Sequence, residues 1–197
     1  MAELVTIEEA LALVLGHVTP LPPEPVPLAA AAGRFLADPG LATTGYAIVV
    51  ANAAGAKIVD AGACHFNARD ALAKRLAQAA EDLSTILHEH RPAIVAVEEL
   101  YSHYAHPKTA ILMGHVRGVI LCAAAKQGIE IRGYPATRVK RYLTGNGRAT
   151  KAQMQRAIRM MFGLANIPEP PDVADALAIA ACCANDVSHR GVREAHP

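Results

Sequence analysis

Ala93-Ile94-Val95-Ala96-Val97-Glu98 is a short apolar run that stops on a carboxylate. It lacks polar alternation, which marks a strand buried on both faces, the kind found inside sheets that helices cover on each side. Buried Val or Ile rarely gives way to an acid unless a partner awaits it. Upstream, Leu72, Leu76, Ala79, Leu83, Ile86 and Leu87 fall at three- and four-residue spacing, which predicts an amphipathic helix over 70–90. Before it, Thr44 to Val50 and Lys57 to Phe66 read as strands joined by a hairpin connection at Asn52 to Gly55. Whatever precedes Asp38 supplies a third strand. Downstream the pattern predicts a helix over 108–127, a strand from Ile129 to Tyr134, and helices over 136–144, 151–163 and 172–185. Three antiparallel strands followed by alternating helices and strands give an α/β fold with a mixed sheet flanked by helices.

The ends read differently. In residues 1–37, Thr6 and Glu9 have capping-box spacing, and Leu11, Val14, Leu15 and Val18 follow at helical intervals. Pro20, Pro22, Pro23, Pro25 and Pro27 then stop the helix. This stretch is expected to be a helical, proline-rich extension, residues 38–186 the main domain, and 187–197 a polar disordered tail.

Composition narrows the classes. The chain has 197 residues, 52% hydrophobic and only 4% aromatic, enough for one well-buried domain with an alanine-rich core. No apolar run reaches the ~20 residues of a membrane span and no secretory signal opens the chain, so a cytoplasmic protein is expected. Cys64, Cys122, Cys182 and Cys183 have neither zinc-binding nor disulfide-scaffold spacing and are expected to be reduced core residues. The nine histidines show no ligand spacing and read as scattered surface residues. Net charge is only +1, but it is unevenly spread. Between Arg132 and Arg159 lie eight bases (Arg132, Arg138, Lys140, Arg141, Arg148, Lys151, Arg156, Arg159) and no acid. A solvated helix face usually mixes signs, so this tract favours a polyanion such as nucleic acid over a bland basic face.

Four acids are candidates for chemistry. Asp38 precedes a Pro39-Gly40 turn, and Glu98 ends its apolar run. Asp172 and Asp175, three apart at the start of an alanine-rich helix, share a face, and the helix dipole favours negative charge there. Taken alone, the pair also reads as a cap and a solvated acid, and Glu98 as an ordinary strand end. Brought together, four carboxylates would repel, and oxygen-bound divalent cations are the usual relief. Two such ions about 4 Å apart can activate a water and stabilise the leaving oxygen of a phosphodiester.

Asp38-Pro39-Gly40-Leu41-Ala42-Thr43-Thr44-Gly45-Tyr46, Val97-Glu98-Glu99-Leu100-Tyr101, Gly114-His115-Val116-Arg117-Gly118-Val119, Gly145-Asn146-Gly147-Arg148-Ala149-Thr150-Lys151-Ala152-Gln153 and Asp172-Val173-Ala174-Asp175-Ala176-Leu177-Ala178 follow one another along the chain. Together these five segments resemble the RuvC family of Holliday junction resolvases. The resemblance implies a ribonuclease H-like fold and a homodimer that cuts two strands of a four-way DNA junction in recombination and repair. It places the metal-binding, catalytic acids on Asp38, Glu98, Asp172 and Asp175, with two Mg²⁺ per site and Mn²⁺ as an alternative. Tyr101 matches an aromatic that stacks on junction bases, and Lys140 and Lys151 match lysines near the scissile phosphate, where a cation offsets developing charge. Lys151 joins the catalytic set. Arg138, Arg141 and Arg148 complete the expected DNA-binding surface. The family also implies work beside the RuvA and RuvB branch-migration proteins and a dimer interface near helix 108–127.

The front departs from this pattern. Ala32-Gly33-Arg34-Phe35-Leu36-Ala37-Asp38 has two large apolar residues where a central strand wants more. The segment from Thr6 to Arg34 resembles instead the N-terminus of MoeA-type molybdenum-cofactor biosynthesis proteins, without that family's substrate-binding domain. Two rival functions follow: a junction-binding protein without catalysis, if the altered strand misplaces Asp38, and another ribonuclease H-like nuclease.

Overall fold

The computed structural model describes residues 34–38, 41–52, 55–100 and 107–194, and the side chains of 34–38, 52, 55, 107–108 and 189–194 lie outside that description. The expected helix in residues 1–37 and its proline-rich stop therefore fall outside the described residues, as do Tyr101, His103 and His106.

Among the described residues, five strands form one sheet: β1 (Arg34–Asp38), β2 (Thr43–Asn52), β3 (Gly55–His65), β4 (Ile94–Glu98) and β5 (Glu130–Tyr134). Their order is β3-β2-β1-β4-β5, with β1 at the centre. β1 runs antiparallel to β2 and parallel to β4, β2 pairs antiparallel with β3, and β4 pairs parallel with β5. This is the mixed sheet that the chain's patterning implied, and its ribonuclease H-like form is what the family resemblance implied.

The segment whose apolar content looked too thin is thus the central strand. Arg34 to Ala37 pair with Ile94 to Val97 on one side, and Arg34 to Asp38 with Val49 to Gly45 on the other. A strand with partners on both edges draws its stability from two ladders and from the layers above and below, so intrinsic propensity counts for less. The sheet consequently reaches back to Arg34, four residues before the start expected at Asp38.

Among the described residues, five helices cover the two faces. On one face α1 (Leu72–His90) and α2 (Pro107–Lys126) bury Leu83, Leu87, Val116 and Ile120 against Ile48, Val95 and Val97. On the other, α3 (Ala136–Thr144), α4 (Lys151–Met161) and α5 (Pro171–Glu194) bury Val139, Met154, Ile158 and Leu177 against Ala47, Val49, Ile94 and Ala96. Alternate residues of β2 and β4 therefore point into different cores, as a period of two requires.

α5 is the longest helix described and nearly wholly buried from Val173 to Ala184, with Asp175 the exception. Its alanines let it lie close across β1, β2 and β3. The helix does not stop near 185 but continues to Glu194, which corrects the expected tail for residues 187–194. Asp186, which looked like the start of a polar end, accepts hydrogen bonds from the Tyr134 hydroxyl at 2.9 Å and from Arg138 at 2.8 Å, and Val187 packs on the core.

A second correction concerns the cysteines. Cys64, Cys182 and Cys183 are buried as expected, but Cys122 is exposed on the outer face of α2. That face is apolar: Thr109–Lys126 is long and apolar enough by composition to cross a membrane, with mean hydropathy 1.3 and only 22% of it buried. Its inner side nonetheless belongs to the fold, packing on α1 and the sheet, and Arg117 donates to the Glu98 carbonyl at 3.0 Å.

Candidate functional site

The site is built on strand ends. β4 keeps Ile94 to Val97 buried and then releases Glu98 at the edge of the sheet, where the side chain is only partly covered. Beside it, Ala37 pairs with Val97, so Asp38 follows at the same edge in the neighbouring strand. Asp38 itself pairs with Gly45 of β2. The first turn of α5 lands on Gly45: a methyl group there would stand 3.0 Å from Asp172 Cβ and overlap the Asp172 carbonyl. The absence of a side chain at Gly45 is what lets the helix N-terminus reach the strand edge. One turn on, Asp175 faces Glu98 across a cleft of about 220 Å³, which Lys140 of α3, Lys151 of α4 and Met154 also line.

Sequence positions 38, 98, 172 and 175 are thereby brought to one edge of the sheet by three elements. The carboxyl group of Asp38 lies outside the described side chains. Among the described residues no three His, Cys, Asp or Glu side chains cluster closely enough to hold an ion by themselves. The acids instead meet a base, with Lys151 Nζ 3.0 Å from Asp175 Oδ2. α4 presents that lysine because Thr150 and Gln153 form a reciprocal capping box, which fixes where the helix begins.

The electrostatics favour a cation. Burial is the largest cause raising the Glu98 pKa above its ordinary value, the nearby Asp175 charge adds to it, and Lys140 and Lys151 oppose it. A partly buried carboxyl pushed toward its neutral form, with another acid beside it and hard oxygen donors, suits a divalent metal ion. The sign of the pH dependence follows. A raised folded-state pKa makes Glu98 neutral at a higher pH than an ordinary glutamate, so metal binding weakens earlier as pH falls. Without metal, Glu98 favours the folded state most below its raised pKa and costs stability as pH rises through it. The rise in Tm on adding Mn²⁺ should therefore shrink as pH is lowered from neutral toward the carboxylate range, and Glu98→Gln should flatten that dependence. A Tm rise that does not change with pH in the unaltered protein would contradict this assignment.

The remaining expected residues divide. Lys140 and Lys151 line the cleft. Arg141 and Arg148 are exposed, on α3 and on the turn to α4. Arg138 is committed elsewhere: its guanidinium bonds both carboxylate oxygens of Asp186 and lies 5.4 Å from the centre of the Tyr134 ring. It ties α3 to α5. The residue the sequence reading did not single out is Arg117, whose hold on the Glu98 carbonyl fixes the strand end. It sat inside the Gly114–Val119 motif, but only the fold puts it against β4.

Comparison with known proteins gives the chain relatives in both sequence and fold. The family model of crossover junction endodeoxyribonuclease RuvC matches residues 36–183. The RuvC of Rhodopirellula baltica is 47% identical over 145 residues, covering 74% of this chain and 82% of that protein. The RuvC of Chloroflexus aurantiacus is 43% identical over 145 residues, covering 74% and 88%. Among solved structures, T. thermophilus RuvC in complex with Holliday junction substrate superposes with a TM-score of 0.72 at 29% identity, covering 80% of this chain and 96% of that one. The yeast mitochondrial Holliday junction resolvase Ydc2 shares the fold, with a TM-score of 0.59 at 13% identity, covering 92% and 87%.

Proposed function

This chain belongs to the RuvC family of crossover junction endodeoxyribonucleases, and from that premise we propose that it resolves four-way DNA junctions by paired, metal-dependent phosphodiester hydrolysis. The observation that carries the reading is the shared cleft of Glu98, Asp175, Lys140 and Lys151 beside the strand that ends in Asp38. Asp38, Glu98, Asp172 and Asp175 would hold two divalent ions, Mg²⁺ or Mn²⁺, and these would supply an activated water and offset the charge on the leaving oxygen. The chain's own residues do the rest. The four acids fix where the scissile phosphate sits. Lys151, paired with Asp175 in the absence of substrate, and Lys140 turn their charge to the phosphate oxygens as negative charge develops. Arg141 and Arg148 hold the flanking backbone, a contact that weakens with salt. Tyr101 stacks on junction bases near the cut. The reading implies a cytoplasmic enzyme, a nuclease domain that takes in the whole of β1 and α5 (residues 34–194), the residues before it as an extension, and RuvA and RuvB as partners.

The same reading makes the enzyme a homodimer through α2. Its outer face exposes Ile111 (61%) and Leu112 (37%), and Gly114 and Gly118 are open there, with nothing within 4 Å of where a Cβ would stand. A second helix can approach such a face closely. Ile111→Asp should shift the solution mass measured by light scattering from dimer to monomer and leave junctions nicked on one strand; a dimer unchanged at micromolar concentration would rule out this interface.

The function is tested by incubating the protein with a synthetic four-way junction and Mg²⁺ or Mn²⁺. Symmetric cuts are expected, with none from Asp172→Asn. Binding without cleavage would favour a junction-binding protein, and equal cutting of linear duplex or RNA–DNA hybrid would favour another ribonuclease H-like nuclease.

A further inference from the structure

Arg117 stands at a boundary within α2. No residue from Thr109 to His115 is buried, whereas Val116, Ile120, Ala123 and Ala124 are. The second half of the helix therefore anchors it to α1 and the sheet, and the first half turns Ile111, Leu112 and Gly114 outward. A segment with few buried contacts leaves its seat at little cost in free energy. Arg117 follows the first buried residue directly, and its Nε donates to the Glu98 carbonyl at 3.0 Å.

That carbonyl belongs to an acid which the sheet holds on one side. Toward β5, the Glu99 N–H donates to the Tyr134 carbonyl at 3.0 Å. Toward β1, the parallel ladder ends at Ala37 and Val97, and Pro39, two residues on, has no N–H to extend it. Arg117 supplies a donor from another element instead. A hydrogen bond from a guanidinium is roughly twice as strong as one between neutral groups. It fixes the backbone frame of Glu98, and with it the direction in which the side chain enters the cleft shared with Asp175, Lys140 and Lys151. One helix thus meets solvent through Ile111, Gly114 and Gly118 and meets the acid through Arg117.

We infer that Arg117 is a positioning residue through which a second copy of the chain, seated on α2, tightens the metal site. The inference rests on the endonuclease reading above and on its α2 dimer. In a lone protomer the first half of α2 leaves its seat for part of the time and draws the guanidinium off Glu98, so that only β5 holds the acid. A partner helix packed on Ile111, Gly114 and Gly118 covers that half and keeps Arg117 on the carbonyl. Partner and metal then favour the same arrangement, and such coupling is reciprocal: the dimer binds metal more tightly, and metal strengthens the dimer.

Calorimetric titration of Mn²⁺, and sedimentation of the full chain with and without Mn²⁺, test this. Outer partners that orient a metal ligand are worth about 10–100-fold in affinity, so Arg117→Met should weaken Mn²⁺ binding at least about tenfold, and Arg117→Lys, which keeps a donor, by less. Ile111→Asp and Gly118→Leu, which hinder the partner, should weaken it by a similar factor with Arg117 in place. A side chain at Gly118 enters open space within one chain, so this second variant does not disturb the protomer. Adding Arg117→Met to either should cost nothing further, because both changes break the same link. Saturating Mn²⁺ should lower the dimer dissociation constant of the unaltered chain about a hundredfold, about tenfold for each of two sites, and that of Arg117→Met far less. Equal Mn²⁺ affinity in monomer and dimer, or losses that multiply in the combined variants, would overturn the coupling. If Glu98→Gln binds Mn²⁺ as tightly as the unaltered chain does, the metal site itself fails first and takes this inference with it.

Discussion

Glu98→Gln is expected to lower the cutting of a four-way junction by about 10³-fold while leaving junction binding within a few-fold of the original. The substitution keeps the shape of the side chain but removes its charge and replaces one acceptor oxygen with an NH2 donor. Its cost to folding should be small, or of the opposite sign. Burial and the neighbouring Asp175 already raise the Glu98 pKa, so a neutral amide relieves a repulsion that the carboxylate must bear. The loss of about 10³ in rate corresponds to about 4 kcal/mol of transition-state stabilisation, far more than a surface charge could supply. The variant should therefore be at least as thermally stable as the original in the absence of metal, inactive in cutting, and still competent in gel-shift binding of the junction. A variant that is inactive because it unfolds, or that cuts normally, would remove Glu98 from the site.

Gly45→Ala should cost both stability and activity, although the usual expectation for glycine in a strand is the reverse. Replacing it ordinarily stabilises by about 0.4–1 kcal/mol, because alanine has less unfolded-state freedom to lose. Here the added methyl meets the backbone of Asp172 at the start of α5. Backbone atoms cannot swing aside as a side chain would, and overpacking of this kind costs about 1–3 kcal/mol. The clash outweighs the entropy gain, so Tm should fall by about 3–10 °C in a chain of this size. The helix end that gives way carries Asp172, and a displacement of about 1 Å at a catalytic group is worth about 10²-fold in rate. Scanning calorimetry and junction cutting should move together in this variant; an unchanged Tm with full activity would show that α5 does not rest on Gly45.

Much of this architecture was legible in the chain. Ile94 to Val97 read as doubly buried because no polar residue interrupts them, and α1, α3 and α4 announced themselves through helical spacing. What was not legible depended on partners distant in sequence. Arg34 to Ala37 look a weak strand in isolation, and only the ladders to β2 and β4 make them central. Asp186 and Ser188 look like the start of a tail until Tyr134 and Arg138 supply the other half of the Asp186 hydrogen bonds. The candidate acids followed from strand ends and a helix start, whereas the Lys151–Asp175 pair, the Arg117 anchor on Glu98 and the role of Gly45 all join residues at least 19 apart in the chain. Cys122 was misread because a cysteine among apolar neighbours looks buried, and its helix turns that face outward.

We propose that four carboxylates from β1, β4 and α5 form one divalent-metal site. Calorimetric titration of Mn²⁺ into the unaltered protein and into Asp38→Asn, Glu98→Gln, Asp172→Asn and Asp175→Asn tests it most directly. Each substitution, Asp38→Asn included, should weaken Mn²⁺ binding by at least the roughly tenfold that losing even an outer partner of a metal site costs. Mn²⁺ affinity unchanged in Asp38→Asn would contradict the account.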